Sequence, residues 1–247
     1  MHRDELHTYL NDYLQSSRYR DYAPNGIQIE GKTEIRRITT AVTASQAVIE
    51  AAIAQQADAL LVHHGYFWKG EAPAITGIKK QRIAALLAHD INLIAYHLPL
   101  DQHAELGNNA LFARHFDCGT VWQSAAEPLI WHARIRPIML SALLDRLAHD
   151  LNRIPLAVGG GTDVLTHIAW CTGAAQDYLQ QAAAEGAQAY ISGEYAERSY
   201  HEARESGCAY ISCGHHASER AGIRALGEHL AATFALDVAF FDEANPF

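Results

Sequence analysis

The run Ala57-Asp58-Ala59-Leu60-Leu61-Val62 ends abruptly in His63-His64-Gly65, and this stretch constrains the fold more than any other. An apolar run of this length, stopped by a glycine, reads as a central strand of a parallel or mixed sheet, covered on both faces. Ligands in open α/β sheets gather at the carboxyl ends of strands, so two imidazoles at this tip are placed to hold metal. Taken alone, the pair also fits two surface histidines in a loop.

The flanking sequence supports a strand. Residues 38–42 form a short β-branched strand, the hydroxyls of Thr43 and Ser45 can cap a helix over 47–56, and the strand over 59–62 follows directly. Such a βαβ unit is normally a right-handed crossover. A helix over 79–89 and a strand over 92–96 repeat the scheme, ending in His97-Leu98-Pro99-Leu100-Asp101. Pro99 denies a regular helix through its centre, so His97 and Asp101 belong to a loop or a first helical turn. Before this region, Leu6, Leu10 and Leu14 mark an amphipathic helix over 1–16, and Tyr22-Ala23-Pro24-Asn25-Gly26 is turn chemistry leading into Ile27-Gln28-Ile29.

Residues 118–166 read as the least regular part, with a helix over 140–151. Gly159-Gly160-Gly161 lacks the spacing of a phosphate-binding loop and is expected to be a flexible turn. Beyond it the first half is replayed: a strand over 168–172, a helix over 176–185, a strand over 189–192 ending in Gly193-Glu194, a helix over 196–205, and a strand over 209–213 before Gly214-His215-His216-Ala217-Ser218-Glu219-Arg220. Residues 43–64 align with 173–194 at a constant offset of 130, and His97/His215 and Asp101/Glu219 share an offset of 118. The expected fold is therefore α/β, with two pseudo-repeated lobes at 1–125 and 126–247 and a dinuclear metal site between them. The C-terminal segment is a candidate to pack back on the first lobe.

Composition excludes several classes. Hydrophobic residues make up 49% and charged residues 19%, as in ordinary globular proteins. The acidic start and the absence of a run of about eighteen apolar residues argue against secretion and membrane spanning, which leaves the cytoplasm. A net charge of -9 argues against a duplex DNA footprint. Cys118, Cys171, Cys208 and Cys213 show no CxxC spacing and read as reduced, mostly buried thiols. Fifteen histidines are many for 247 residues.

His63, His64, Asp101, His215 and Glu219 emerge as the ligand set. On a helix begun at His215, Glu219 lies one turn on and faces the same side. Three imidazoles cannot fill two metal shells, but Asp101 and Glu219 can each bridge, and this is the arithmetic of a dinuclear site. The mixed nitrogen and oxygen set suits two divalent transition-metal ions per chain: iron, zinc, manganese or nickel. His97 is either a sixth ligand or a group that moves protons. Glu194 matches His64 under the offset and is a strand-end cap or a further group at the seam. Lys69 and Arg220 are surface charges or contacts to a substrate phosphate, and Tyr66-Phe67-Trp68 is an apolar lid or a stacking platform.

Val62-His63-His64, His97-Leu98-Pro99-Leu100-Asp101 with Gly107-Asn108-Asn109, and Gly214-His215-His216-Ala217-Ser218-Glu219 together resemble the NIF-three-like family, and closely its short bacterial YbgI-type members. The resemblance spans nearly the whole chain, including Asp21-Tyr22-Ala23-Pro24-Asn25-Gly26. It implies a two-lobed α/β fold, a dinuclear metal centre on the five ligands named above, and a homo-oligomer in the form of a hexameric ring. Members carry the label of a second type of GTP cyclohydrolase. The extra domain of the longer members has no room in this chain.

Two functions follow as expectations. The first is a metal-dependent hydrolase acting through activated water on a nucleotide-like, heterocyclic or phosphate-bearing small molecule, with His97 as proton shuttle. The alternative is a non-catalytic metal-binding or metal-handling protein that acts through partners.

Overall fold

Leu6, Leu10 and Leu14 are all buried, because helical spacing of four puts them on one face. In the computed structural model, which describes residues 1–247, they lie on or directly after α1 (Arg3–Tyr13). The chain continues through β1 (Gly26–Ile29), β2 (Arg37–Thr43), α2 (Gln46–Ala54), β3 (Ala59–His64), α3 (Gly77–Ala88), β4 (Asn92–Ala95) and the single turn α4 (Leu98–Asp101). Next come α5 (Asn108–Phe112), β5 (Cys118–Gln123), β6 (Trp131–Met139), α6 (Leu140–Leu151), β7 (Leu156–Val158) and β8 (Val164–Trp170). The last elements are α7 (Leu179–Ala184), β9 (Ala189–Ser192), α8 (Glu197–Ser206), β10 (Ala209–Ser212), α9 (His215–Phe234) and β11 (Asp237–Phe240). No helix is long and apolar enough to cross a membrane.

Two compact units result, one of Met1–Gly107 with Arg220–Ala244, the other of Asn108–Glu219 with Asn245–Phe247. They divide at 107/108 rather than at the 125/126 read from sequence, and the chain re-enters the first unit at Arg220. The reason is hydrogen bonding: β5 pairs with β6, while β11 adds in parallel to β2.

The first unit holds a five-stranded sheet in the order β1-β4-β3-β2-β11, and the second a six-stranded sheet in the order β5-β6-β8-β9-β10-β7. The register bears out the repeat read from sequence. Ala59 pairs in parallel with Ile38 and Asn92, and Ala189 pairs in parallel with Ile168 and Ala209. Ser45 caps α2 by accepting from the Val48 amide at 3.2 Å. Apolar clusters cover both faces of each sheet, which is why the central strands read as continuous apolar runs.

Residues 118–166 are more regular than their sequence suggests. β6, antiparallel to β5 and β8, interleaves exposed Arg134, Arg136 and Pro137 with buried Ala133 and Ile135, which dilutes the apolar signal. Gly159-Gly160-Gly161 also departs from the expected flexible turn. A Cβ on Gly160 would lie 2.4 Å from the Gly207 carbonyl oxygen, and the Gly161 amide donates to that oxygen at 2.7 Å. Close backbone approach accounts for glycine there.

Several of the histidines lie outside any ligand set. In the second unit His132 and His167 are buried, with ring nitrogens 3.2 Å apart, and Glu185 lies 2.9 Å from His132 Nε2. Burial pulls the His132 imidazole below its ordinary pKa although Glu185 pushes it up, and burial, Arg134 and His132 lower that of His167. Both groups therefore protonate more readily in the unfolded chain, so their contribution to stability is complete above about pH 6.5 and is lost as pH falls from there through their lower folded pKa values. The urea midpoint is expected to fall between about pH 7.5 and 5.5, and by less in His132→Gln. An equal fall in both proteins would assign the acid sensitivity to other groups.

Candidate metal centre

β3 continues two residues past its predicted end, so His63 and His64 sit on the strand itself, Thr43 pairing with His64. His63 is fully buried and His64 partly so. The adjacent β4 ends at Ala95, and His97 is the N-cap residue of α4. Pro99 lies in the first turn of α4, where its fixed φ suits a helix start, and the single turn brings Asp101 within reach of His63. Asp101 is 6% exposed, with Oδ1 3.4 Å from His63 Nε2. The ligand nitrogens of His63, His64 and His97 all lie within 4.8 Å of one another.

In the second unit α9 begins directly after the β10 tip, at Gly214, whose φ of +93° suits glycine. Glu219 is 2% exposed, and its Oε2 lies 3.1 Å from His215 Nε2, one helical turn away. Glu194, placed at the seam only by its offset from His64, contacts His215 Nδ1 at 2.7 Å. Burial alone would lower the pKa of His215, but Glu219 and Glu194 together push it up to about 9.

Each of the four imidazoles is held through Nδ1. The partner is the Tyr96 carbonyl for His63 (2.9 Å), the Thr43 hydroxyl for His64 (3.1 Å), Asp21 for His97 (2.7 Å) and Glu194 for His215 (2.7 Å). Anchoring through Nδ1 turns Nε2 toward the carboxylates in two of them, 3.4 Å from Asp101 for His63 and 3.1 Å from Glu219 for His215, and an Nδ1 anchor is the supporting pattern of metal-binding histidines. Asp101 is buried beside His63 and Glu219 beside His215, and a buried carboxylate is costly without cationic charge nearby. The donor set fits one or two divalent ions in number and chemistry.

Sequence reasoning missed Asp21, whose only signal was its place in the Asp21–Gly26 turn. The Gly107-Asn108-Asn109 segment also has a defined task. Asn109 accepts from Trp170 Nε1 through its carbonyl at 2.9 Å and from the Thr172 amide through Oδ1 at 3.0 Å, which fixes the chain leading to Gly173. A Cβ on Gly173 would lie 2.1 Å from Glu219 Oε1.

The aromatic loop divides by residue. Tyr66 is core, its hydroxyl donating to the Ala44 carbonyl at 2.7 Å, and the Lys79 ammonium sits 5.1 Å from the Phe67 ring centroid. Trp68 alone stands beside the imidazoles, with ring centroids 5.0 Å from His97 and 5.9 Å from His64. Arg220 pairs with Asp242 at 3.0 Å, and Lys69 is exposed.

A family model described as Duf34/NIF3 (NGG1p interacting factor 3) matches residues 1–246. The chain belongs to the Duf34/NIF3 family. Among its relatives in that family, a protein of Allochromatium vinosum named "GTP cyclohydrolase 1 type 2 homolog" is 48% identical over 244 residues, covering 98% of this chain and 96% of that one. A solved structure of protein ybgI, described as of unknown function, is 46% identical with a TM-score of 0.97 and full coverage of both chains. A Thermus thermophilus structure is 33% identical with a TM-score of 0.91, again covering both chains fully. The Duf34/NIF3 fold, an α/β architecture with two sheet-bearing units and clustered His, Asp and Glu ligands, is thus the fold of this chain.

Proposed function

We propose that His63, His64, Asp101, His215 and Glu219 together hold two divalent transition-metal ions and that the protein is a metal-dependent hydrolase. The observation that carries this reading is the set of Nδ1-anchored imidazoles accompanied by two buried carboxylates. When bound, such ions polarise a carbonyl or phosphoryl oxygen and lower the pKa of water toward about 7.

The chain's own residues supply the rest of the reaction. His97 carries the proton, with a ring nitrogen within 4.8 Å of those of His63 and His64 and its Nδ1 against a carboxylate. Trp68, held by its indole N–H on the Gly65 carbonyl at 3.2 Å, offers a face to a planar ring beside His97. A nucleotide-like or related heterocyclic substrate agrees with that face, and the name of the Allochromatium vinosum relative makes GTP the first compound to test.

Elemental analysis of untagged protein, purified without added metal or chelator, tests the metal claim. About two transition-metal ions per chain are expected, with a clear loss in His64→Ala and in Glu219→Ala. A parent protein that stays metal-free after reconstitution would remove the centre. With metal present, turnover over a panel of nucleotides and pterins tests hydrolysis. His97→Ala is then expected to lose activity at unchanged metal content. Tight metal with no turnover and a large loss of thermal stability on chelation would instead favour the metal-handling alternative.

A further inference from the structure

Asp21 lies 76 residues before His97, on a turn that carries no ligand, yet its carboxylate meets three N–H donors and the His97 ring nitrogen there. Oδ1 lies 2.7 Å from His97 Nδ1 and accepts from the Tyr22 amide at 2.6 Å. Oδ2 accepts from the Leu98 amide and from Asn25 Nδ2, each at 2.9 Å. Asn25 completes the clamp, its Oδ1 accepting from the His97 amide at 2.8 Å. The Asp21 side chain is only 3% exposed.

We propose that Asp21 is a positioning residue that fixes His97 in the Nδ1–H tautomer and holds its unprotonated Nε2 toward His63 and His64. The value of that tautomer rests on the reading of His97 as the proton carrier; its existence does not. A carboxylate offers about four lone-pair sites, and three of them are taken by groups that can only donate. The fourth contact is to His97 Nδ1. His97 Nδ1 is the one neighbour at which a protonated Asp21 could aim its hydrogen, and the three hydrogen bonds donated to the carboxylate favour its ionised form, so the shared proton belongs on the imidazole nitrogen. Burial acts to raise the Asp21 pKa, but the hydrogen bond from His97, with those from Asn25 and Tyr22, holds it below the usual carboxylate range.

The same clamp fixes the ring's direction. Backbone amides of residues 97 and 98 and the imidazole itself all end on two side chains of one turn, so the ring cannot rotate without breaking several bonds at once. Trp68 and Tyr22 pack edge-on to the ring at centroid distances of 5.0 and 6.4 Å, which limits tilting. Nε2 is left as a lone-pair nitrogen, ready to accept a proton from a neighbour on the imidazole side.

Solid-state NMR of the full chain labelled with ring-15N histidine reads this directly, with His97 assigned by its disappearance in His97→Gln. In the metal-free and zinc-loaded parent, His97 is expected to show Nδ1 protonated and Nε2 bare. Asp21→Ala is expected to shift the metal-free ring mainly to the Nε2–H form while His63, anchored on the Tyr96 carbonyl, is unmoved. Asp21→Asn keeps the side-chain volume and serves as the second variant if the alanine change unfolds the turn; it too is expected to lose the pure Nδ1–H signal. An Nε2–H ring in the parent, or an unchanged tautomer in a folded Asp21 variant, would overturn the proposal. A shifted tautomer together with unchanged turnover in His97→Ala would leave the positioning intact and remove the proton-carrier role, so the two failures are distinguishable.

Discussion

Gly173→Ala is expected to weaken zinc retention by about 10–100-fold or more, the loss seen when a ligand's supporting geometry is disturbed, although one methyl group is all that changes. The added Cβ would lie 2.1 Å from Glu219 Oε1 and 3.3 Å from His215 Nε2. The backbone cannot retreat. The Gly173 amide donates to Ser218 Oγ at 3.1 Å, and its carbonyl accepts from Ser192 Oγ at 3.0 Å and from the Gly193 amide at 2.9 Å. Glu219 must therefore move, and it is 2% exposed with little room to do so. The φ of +73° adds about 1–2 kcal/mol of backbone cost for any side chain. Gly186→Ala separates the two effects, since its φ is +88° while its nearest new contact is 3.8 Å. It should lose comparable stability and keep its metal. Zinc titrations and thermal unfolding of both variants decide the matter; equal zinc affinity in Gly173→Ala and the parent would remove Glu219 from the ligand set.

Trp170→Ala is expected to cost about 3–5 kcal/mol, a fall in Tm of roughly 6–20 °C for a chain of this size. Trp170 is fully buried, with ring centroids 5.5 Å from Phe116 and 6.2 Å from Trp131. Its removal leaves a large cavity and deprives the buried Asn109 carbonyl of its indole donor. Trp170→Phe keeps most of the ring volume and should lose about 1–3 kcal/mol, chiefly the cost of that carbonyl left unpaired. Because Asn109 also holds the Thr172 amide, the alanine variant should lower metal affinity as well. Urea unfolding measures the first effect and zinc titration the second. A Trp170→Ala protein as stable as the parent would mean that the second unit's core lies elsewhere.

How much of this was legible in the sequence follows from which interactions are local. The strand tips, the helices between them and the repeated strand-helix-strand order were readable, because apolar runs, caps and an offset of 130 are written in consecutive residues. So was the placing of candidate ligand types near those tips, with His63 and His64 ending β3, Asp101 ending the single turn after β4 and His215 opening the helix after β10. Membership in the Duf34/NIF3 family was carried by the same motifs.

Tertiary structure alone decided what surrounds them. Asp21 reaches His97 across 76 residues, and nothing in its own turn marks it as a partner. Glu194 read as either a strand-end cap or a further group of the site, and only the fold shows it 2.7 Å from His215 Nδ1. Gly160 read as flexible, and a neighbouring backbone explains it. The return of Arg220–Ala244 to the first unit depends on β11 finding the free edge of β2. Residue order sets periodicity, and therefore the elements and the residue types at their ends. Hydrogen bonds between distant segments depend on distances that no periodicity encodes, so the anchors that orient each imidazole exist only once the chain has folded.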